Sequence, residues 1–134
     1  QKMPGWHAAR SRNAAIWQER LGCWPCLRIP QPLDALRHAW YRFYAFVKPE
    51  ALKPDWDRDR LLAAISAAGV PCFSGSCPEI YRERAYGGLD APRLPVVQRL
   101  GETSLAWLTH PTLQTEHIHA MADAVEAVLQ RAVR

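Results

Sequence analysis

The segment from residue 57 to residue 74 constrains the fold more than any other part of the chain. Its apolar side chains recur with the spacing of one helix face, at Leu61, Leu62, Ile65 and Ala68. Asp57 stands where a helix N-cap belongs, and Gly69 stands where the chain would leave that helix. The apolar stretch 70–74 follows at once and predicts a short strand. A helix that runs directly into a strand favours a fold in which helices pack on a sheet.

The remaining segments extend this pattern over all 134 residues. Helical spacing predicts helices over 6–21, from Pro95 to about residue 100, and from Thr115, taken as the N-cap, to the end. Aromatic and β-branched residues predict strands over 38–47 and 104–108. We therefore expect one α/β (α+β) domain spanning 1–134. Its predicted architecture is a two-layer sandwich, in which a small, three-stranded, mainly antiparallel sheet carries about four helices.

Basic residues outnumber acidic ones by 17 to 13, which gives a formal charge of +4. Lys2, Lys48 and Lys53 are the lysines, and the other basic residues are arginines. Because the arginines are scattered and form no basic tract, we expect no nucleic-acid partner. No apolar run approaches the ~20 residues of a membrane helix, so we expect no membrane association. The first residues lack the apolar core of a secretory signal, and the expected location is the cytoplasm.

The four cysteines form two pairs along the chain, Cys23 with Cys26 and Cys72 with Cys77. One interpretation is a four-thiolate zinc site, and another is a redox-active Cys-x-x-Cys motif. The spacing of the second pair departs from that of a zinc knuckle, and the first pair follows a helix instead of opening one. We therefore expect free thiols in a reducing compartment and no metal site.

A turn rich in small polar side chains follows the predicted strand, and the chain then stays irregular up to about residue 92. Segments of this kind often form the rim of a binding site. Ser74, Ser76 and Tyr81 carry hydroxyls that can hydrogen-bond a polar substrate, and Glu79 can accept from hydroxyls or an amine. The alternative is that Ser74, Ser76 and Glu79 cap a turn while Tyr81 packs on the core.

His38, at the start of the aromatic strand, is a further candidate for contact with a ligand. The alternative is a hydrogen-bonded histidine of the core or of the sheet edge. His117 and His119 are two residues apart on the last predicted helix, so they do not share a face and cannot form a helical metal pair.

Several motifs follow one another at regular intervals along the chain. They are the opening helix, His38–Val47 with the pattern His-x-x-Tyr, a helix that ends in Gly-Val-Pro at 69–71, and Pro95–Pro111, where a helix precedes Ser-Leu and His-Pro. Together with the terminal helix from Thr115, this order resembles the C-terminal domain of the DegT/DnrJ/StrS sugar aminotransferases. On this resemblance, residues 1–22 form the lead-in helix of a small domain.

The resemblance implies one part of an enzyme that uses pyridoxal phosphate (PLP). In that family the large domain supplies the lysine that bonds the coenzyme, the aspartate that pairs with its pyridine nitrogen, and the stacking aromatic side chain. None of Lys2, Lys48 and Lys53 lies in the family's lysine motif, so we expect no catalytic and no cofactor-binding residue in this chain. The implied partners are the large PLP-binding domain of the same polypeptide, a small-molecule substrate and a second subunit in a homodimer.

One two-residue motif departs from the pattern of many family members. These carry a His-Tyr pair shortly after the Gly-Ile-Pro strand, placed to contact the sugar, and the matching positions here are Gly75 and Ser76. Two functional hypotheses follow. In the first, the chain is the small domain of a PLP-dependent aminotransferase, closing and shaping the pocket for amino transfer to a keto-sugar-like acceptor, and is inactive alone. In the second, it is a stand-alone, non-catalytic binding or interaction module of the same fold.

Overall fold

The computed structural model describes residues 2–86 and 92–134, in which four α-helices pack with one four-stranded antiparallel sheet. In chain order the elements are α1 (Met3–Leu21), β1 (Leu27–Arg28), β2 (Arg42–Val47), α2 (Arg58–Ala67), β3 (Cys72–Phe73), α3 (Pro95–Thr103), β4 (Ser104–Leu108) and α4 (Thr115–Ala132). The predicted fold class is confirmed, with four strands where three were predicted. Within the described residues, no helix is long and apolar enough to cross a membrane.

Both ends of α2 form as the sequence predicts. The carboxylate of Asp57 accepts a hydrogen bond of 2.7 Å from the amide of Arg60, which satisfies one of the free donors of the first turn. Gly69 adopts a left-handed φ of 83°. The amide of Gly69 then bonds to the carbonyl of Ser66, and the amide of Val70 to that of Ile65. This pattern is a Schellman motif, and it turns the chain directly towards β3.

The strands lie side by side in the order β1-β2-β4-β3, so β2 and β4 occupy the centre of the sheet. Alternate side chains of these strands point to one face, which we call the inner face, and are buried: Phe43, Ala45, Val47, Leu105 and Trp107. Helices α1, α2 and α4 cover this face and complete one continuous core. At its centre the rings of Trp17 and Trp107 stack with their centroids 5.5 Å apart.

Helices α1 and α4 are also joined by an ion-pair cluster. The guanidinium of Arg20 donates to both carboxylate oxygens of Glu126, at 2.9 and 2.7 Å, and to Asp123 at 2.5 Å. The hydrogen bonds that Arg20 donates to Glu126 and Asp123 raise its pKa above the ordinary value. Because Arg20 is held in a fork by two carboxylates, the relative position of the two helices is fixed more firmly than apolar packing alone would fix it.

The predicted strand 38–47 is too long at its start. Strand β2 begins at Arg42, since Trp40 takes a left-handed φ of 48° that a strand cannot contain. Strand β1 was not predicted because it is only two residues long and lies between Pro25 and Pro30. It pairs with the end of β2, with Leu27 opposite Val47.

The cap of α4 is also one residue earlier than predicted. Thr115 is the first helical residue, and Gln114 is the N-cap. The side chain of Gln114 bonds to the backbone of His117, while Nδ1 of His117 accepts from the amide of Gln114 at 3.3 Å. An imidazole therefore takes the place that glutamate or glutamine usually holds in a capping box, and so the sequence pattern did not reveal it.

Candidate functional site

The face of the sheet opposite the core carries a different set of side chains, and we call it the outer face. It presents Arg28, Arg42, Tyr44, Phe46 and Phe73, which alternate with the core residues along their strands. Guanidinium groups lie over aromatic rings here: that of Arg42 is 4.5 Å from the ring centre of Phe73, and that of Arg28 is 4.4 Å from the ring centre of Phe46. An arginine over a ring combines apolar cover with a positive charge at the surface.

A cavity of about 260 Å³ opens on the outer face, and we call it the aromatic groove. Its walls include His38, Trp40, Arg42, Tyr44, Phe46 and the 30–32 segment. Apolar walls with a few polar groups are typical of sites for small molecules. His38, which was predicted to contact a ligand, therefore lies beside Trp40, Tyr44 and Phe46, which were predicted only as parts of a strand.

The position of His38 is set by the turn at Trp40. Nδ1 of His38 accepts a hydrogen bond of 3.0 Å from the amide of Trp40, and the two rings lie 4.3 Å apart. A neutral imidazole in this arrangement carries its proton on Nε2. The described residues provide no partner for Nε2, so this exposed side chain combines one fixed nitrogen with one nitrogen that can donate to a ligand.

The left-handed turn at Trp40 is stabilised by two side chains from distant parts of the chain. The hydroxyl of the buried Thr109 donates to the carbonyl of Trp40 at 2.5 Å. Arg10 of α1 donates to the carbonyls of Trp40 and Tyr41, at 3.3 and 3.0 Å. A non-glycine residue in this conformation is strained and persists only where its surroundings hold it. No local sequence pattern marks this turn, because both supports come from residues far away in the chain.

The turn 74–76 lies against the same face. Gly75 has a φ of 93° and sits directly on the ring of Tyr44, which also lines the aromatic groove. The carbonyl of Ser74 accepts from the hydroxyl of Ser104 on β4. Ser74 and Ser76 are exposed, and the described residues offer no hydrogen-bond partner to either hydroxyl. Through Tyr44, the structure brings this turn to the groove that His38 lines.

Replacing Gly75 with alanine is expected to destabilise the fold by about 2 kcal/mol, from the left-handed conformation and a steric clash together. A Cβ atom at this position would lie 2.8 Å from Cε1 of Tyr44. Gly69→Ala is the matched control, since its φ is 83° but no atom lies within 4 Å of the added carbon. Urea unfolding measures both. Equal losses for the two variants would contradict the close contact between Gly75 and Tyr44.

Glu79, Tyr81 and Arg93 form a hydrogen-bonded cluster, which we call the clasp. The hydroxyl of Tyr81 donates to Glu79 at 2.8 Å and accepts from the amide of Leu94 at 2.8 Å. Arg93 donates to Glu79 from Nε at 2.9 Å and also from Nη2. The clasp thus joins the two ends of the segment 79–94, of which residues 87–91 lie outside the described residues. Glu79 and Tyr81, both predicted to contact substrate, lie together here, and their polar atoms are bonded to each other and to Arg93 and Leu94.

The clasp is expected to be sensitive to acid. The bonds from Arg93, aided by that from Tyr81, lower the pKa of Glu79 to about 2. Since this pKa lies below the ordinary 4.5, the ionised clasp stabilises the fold above about pH 4.5 and loses this contribution as the pH falls towards 2. An NMR titration of the Glu79 carboxyl carbon measures the midpoint. Arg93→Gln is expected to move the midpoint up towards 4.5, whereas Arg12→Gln on α1 leaves it unchanged. A wild-type midpoint near 4.5 would show that the clasp does not form.

Three of the four cysteines, Cys26, Cys72 and Cys77, lie in surroundings that favour the thiol form. Burial raises the pKa of Cys26, and it raises the pKa of Cys72 to about 12. Cys77 donates to Glu83 at 3.0 Å, and this bond raises the pKa of its thiol. A zinc ligand or a redox nucleophile needs the opposite shift. Residues 2–86 and 92–134 contain no group of three or more His, Cys, Asp or Glu side chains placed to hold a metal ion.

Comparison with known proteins gives matches among solved structures. An aminotransferase from Psychrobacter cryohalolentis is 36% identical, with a TM-score of 0.88 over 96% of this chain and 35% of its own. A DegT DnrJ EryC1 StrS aminotransferase from Brucella abortus is 22% identical, with a TM-score of 0.71 over 91% of this chain and 31% of its own. The predicted resemblance to DegT-type aminotransferases is confirmed. An Escherichia coli GDP-4-keto-6-deoxy-D-mannose-3-dehydratase with bound hydrated PLP shares the fold, at 16% identity and a TM-score of 0.72 over 92% of this chain and 32% of its own.

The DegT-type match covers one part of each longer enzyme. The chain spans about a third of the length of these proteins, which is consistent with a C-terminal fragment. No family model and no curated protein matches the sequence. Since a fold hosts many activities, the reaction has to be argued from the site and tested.

Proposed function

We propose that this chain is the small domain of a PLP-dependent aminotransferase and that its outer face closes and shapes the substrate pocket. The 36% identity over 96% of the chain, confined to 35% of a known aminotransferase, carries this proposal. The outer face supports it, because α1, α2 and α4 all pack on the inner face and leave the aromatic groove accessible. The acceptor we propose is a keto-sugar-like molecule.

The proposed direct contacts are His38, Ser74 and Ser76. Nε2 of His38 and the two serine hydroxyls have polar hydrogens to offer, and sugar hydroxyls and a ketone oxygen can accept them. The ring of Tyr44 lies between these groups and presents an apolar surface, which suits the C–H face of a sugar ring. Together they would orient the acceptor, while the chemistry takes place on the large domain.

Glu79 and Tyr81 have a different proposed role. The carboxylate of Glu79 already accepts three hydrogen bonds, and the hydroxyl of Tyr81 both donates and accepts. These residues are therefore proposed to contribute to substrate binding as positioning residues, which tie the 79–81 turn to Arg93 and Leu94. A carboxylate can accept about four hydrogen bonds, so these three leave Glu79 little capacity for a direct bond to substrate.

The lysines of this chain do not fit the role of binding PLP covalently. Lys53 is exposed, and its ammonium donates to the carbonyl of Arg131 at 2.7 Å. Lys2 is exposed at the start of α1, and Lys48 lies beside Arg28 and Arg99. A coenzyme lysine needs a desolvated amine poised to lose its proton. We therefore propose that PLP belongs to the large domain of the same polypeptide, and that the complete enzyme is a homodimer.

The first experiment uses the complete polypeptide that contains this chain. Ser76→Ala and His38→Ala are expected to raise KM for the amino acceptor about three- to tenfold each, the usual effect of one lost hydrogen bond, with little change in kcat. Glu116→Gln, on the exposed part of α4 in the other layer, is the matched control. Unchanged KM values in both groove variants would contradict a substrate-binding role for the outer face.

The alternative is a stand-alone binding module, and the encoding gene separates the two proposals. About 250 further residues ahead of Gln1, the size of a typical α/β domain, would support the aminotransferase. A start codon directly before the codon of Gln1 would support the module. As an independent check, the 134-residue chain is incubated with PLP, reduced with borohydride and analysed by mass spectrometry. Stoichiometric, selective labelling of one lysine would contradict the assignment of the coenzyme to another domain.

A further inference from the structure

A second cavity on the outer face has a different character from the aromatic groove. It has a volume of about 430 Å³ and lies between α3 and the edge formed by β1 and the end of β2. Three basic side chains line it, those of Arg28, Lys48 and Arg99. Its volume is within the range of natural small-molecule sites. We call it the basic cavity.

The strand register places two of these cations together. Arg28 is opposite Phe46, and the amide of Lys48 bonds to the carbonyl of Cys26 at 2.8 Å, which extends the ladder by one residue. By alternation, Arg28, Phe46 and Lys48 belong to the same face. The guanidinium of Arg28 also lies 4.4 Å from the ring centre of Phe46, so it is held in place before any ligand arrives.

Helix α3 provides the opposite wall. Val96, Arg99, Leu100 and Thr103 line the cavity and are spaced three and four residues apart, so they form one helix face. Val96 and Leu100 are exposed by 72% and 37%. The cavity thus has apolar side chains next to the cation of Arg99, a combination that suits an anionic group attached to an organic body.

The charges of the basic cavity are not balanced by the protein. Among the described residues, Arg28, Lys48 and Arg99 form no ion pair, and Glu50 is the one carboxylate of the lining. Glu102, also on α3, is bonded by Gln98 at 2.8 Å and by Arg93 at 3.3 Å, and it is not part of the lining. Three cations facing one carboxylate attract a dianion.

We propose that the basic cavity binds the phosphoryl group of a small phosphorylated molecule. A phosphate dianion accepts bidentate hydrogen bonds from arginine, and its charge matches the excess of the cavity. A nucleic acid would need an extended basic stripe, and the other arginines are scattered. The concave shape favours a small molecule over an acidic protein segment. The inference does not depend on the aminotransferase assignment, and its test involves no transamination.

The experiment titrates the 134-residue chain at low salt with inorganic phosphate, phenyl phosphate and benzyl alcohol, followed by ¹⁵N–¹H NMR. We expect saturable shifts at residues 96–103 with both phosphates, tighter binding of phenyl phosphate, and none with benzyl alcohol. Equal affinities for inorganic phosphate and phenyl phosphate would contradict the proposed contact with an organic group. They would indicate a site for free phosphate. Shifts confined to other residues, or no saturation with either phosphate, would overturn the site itself.

Substitutions then test the cations one at a time. Arg28→Gln, Lys48→Gln and Arg99→Gln are each expected to weaken phosphate binding about fivefold, as for removal of one close charge in a solvated site. Arg12→Gln, an exposed arginine of α1, is the matched control and should change the affinity less than twofold. If binding is as tight in the three cavity variants as in the control, the proposal is wrong. The three variants lie on separate elements, so misfolding of one leaves the others to decide.

Discussion

Replacing Asn13 with leucine is expected to destabilise the protein by about 3 kcal/mol. Asn13 lies on α1 and is fully buried. Its amide nitrogen donates to the carbonyl of His110 at 3.1 Å, and more weakly to those of Leu113 and Thr109 at 3.4 and 3.5 Å. Leucine has nearly the same size but no donor, so these carbonyls lose a partner inside the protein.

The free energy of unfolding in urea measures this effect. Two further variants, an exposed control and a variant with a titratable side chain, test its cause. Gln18→Leu removes an amide from the same helix where its bond, to Gln31, is exposed, and should cost less than about 0.5 kcal/mol. Asn13→Asp places a carboxylate against carbonyl oxygens, and burial should raise the pKa of that group by more than the weak 3.4 Å bond from Arg12 lowers it. Its stability should therefore increase as the pH is lowered and the carboxyl becomes protonated. A small loss in Asn13→Leu would mean that the 109–113 turn does not depend on this amide.

Two tryptophan-to-phenylalanine substitutions are expected to differ although both positions are fully buried. Trp17 donates from Nε1 to the carbonyl of Leu108 at 3.1 Å. Nε1 of Trp107, which stacks on Trp17, has no hydrogen-bond partner within the described residues. Both variants lose ring volume and create a cavity, but Trp17→Phe also deprives a carbonyl of its donor, whereas Trp107→Phe removes an unsatisfied N–H group. We expect losses of about 3 kcal/mol for Trp17→Phe and about 1.5 kcal/mol for Trp107→Phe.

Circular dichroism during urea unfolding is the suitable measurement, because each variant changes the tryptophan fluorescence. The slope of the transition should be the same in both variants, since the surface exposed on unfolding hardly changes. If Trp107→Phe lowered the free energy of unfolding as much as Trp17→Phe, the loss of packing alone would account for both effects. The unpaired indole would then carry no measurable desolvation penalty.

The features predicted correctly from the sequence depend on neighbouring residues. Asp57 caps α2 and Gly69 ends it because a cap and a left-handed turn need only a few residues in succession. Strand β4 was predicted with its observed bounds, Ser104–Leu108, because both of its faces are largely buried and its residues are almost all apolar. The resemblance to the aminotransferase domain likewise depended on motifs that are each local.

The features that could not be predicted depend on residues far apart. The turn at Trp40 is held by Arg10 and Thr109, and Asn13 reaches carbonyls about a hundred residues later in the chain. The candidate site shows the same limit. Ser74, Ser76 and His38 were proposed from residue type alone. The aromatic groove beside His38, the contact of Gly75 with Tyr44 and the bonds of Glu79 to Arg93 arise only when the chain folds. Arg93 had no local pattern to mark it.

The packing of α1 restricts how this domain can move relative to any domain attached ahead of it. The second half of the helix belongs to the core through Ala14, Ile16, Trp17 and Leu21, whereas the first turn exposes Met3 and Trp6. A hinge inside residues 13–21 would open the core, so the pivot has to lie in the first turns or before them. The part of this 19-residue helix, about 28 Å long in all, that follows the pivot would then act as a rigid lever, and a small rotation at the pivot would swing the whole outer face as one body.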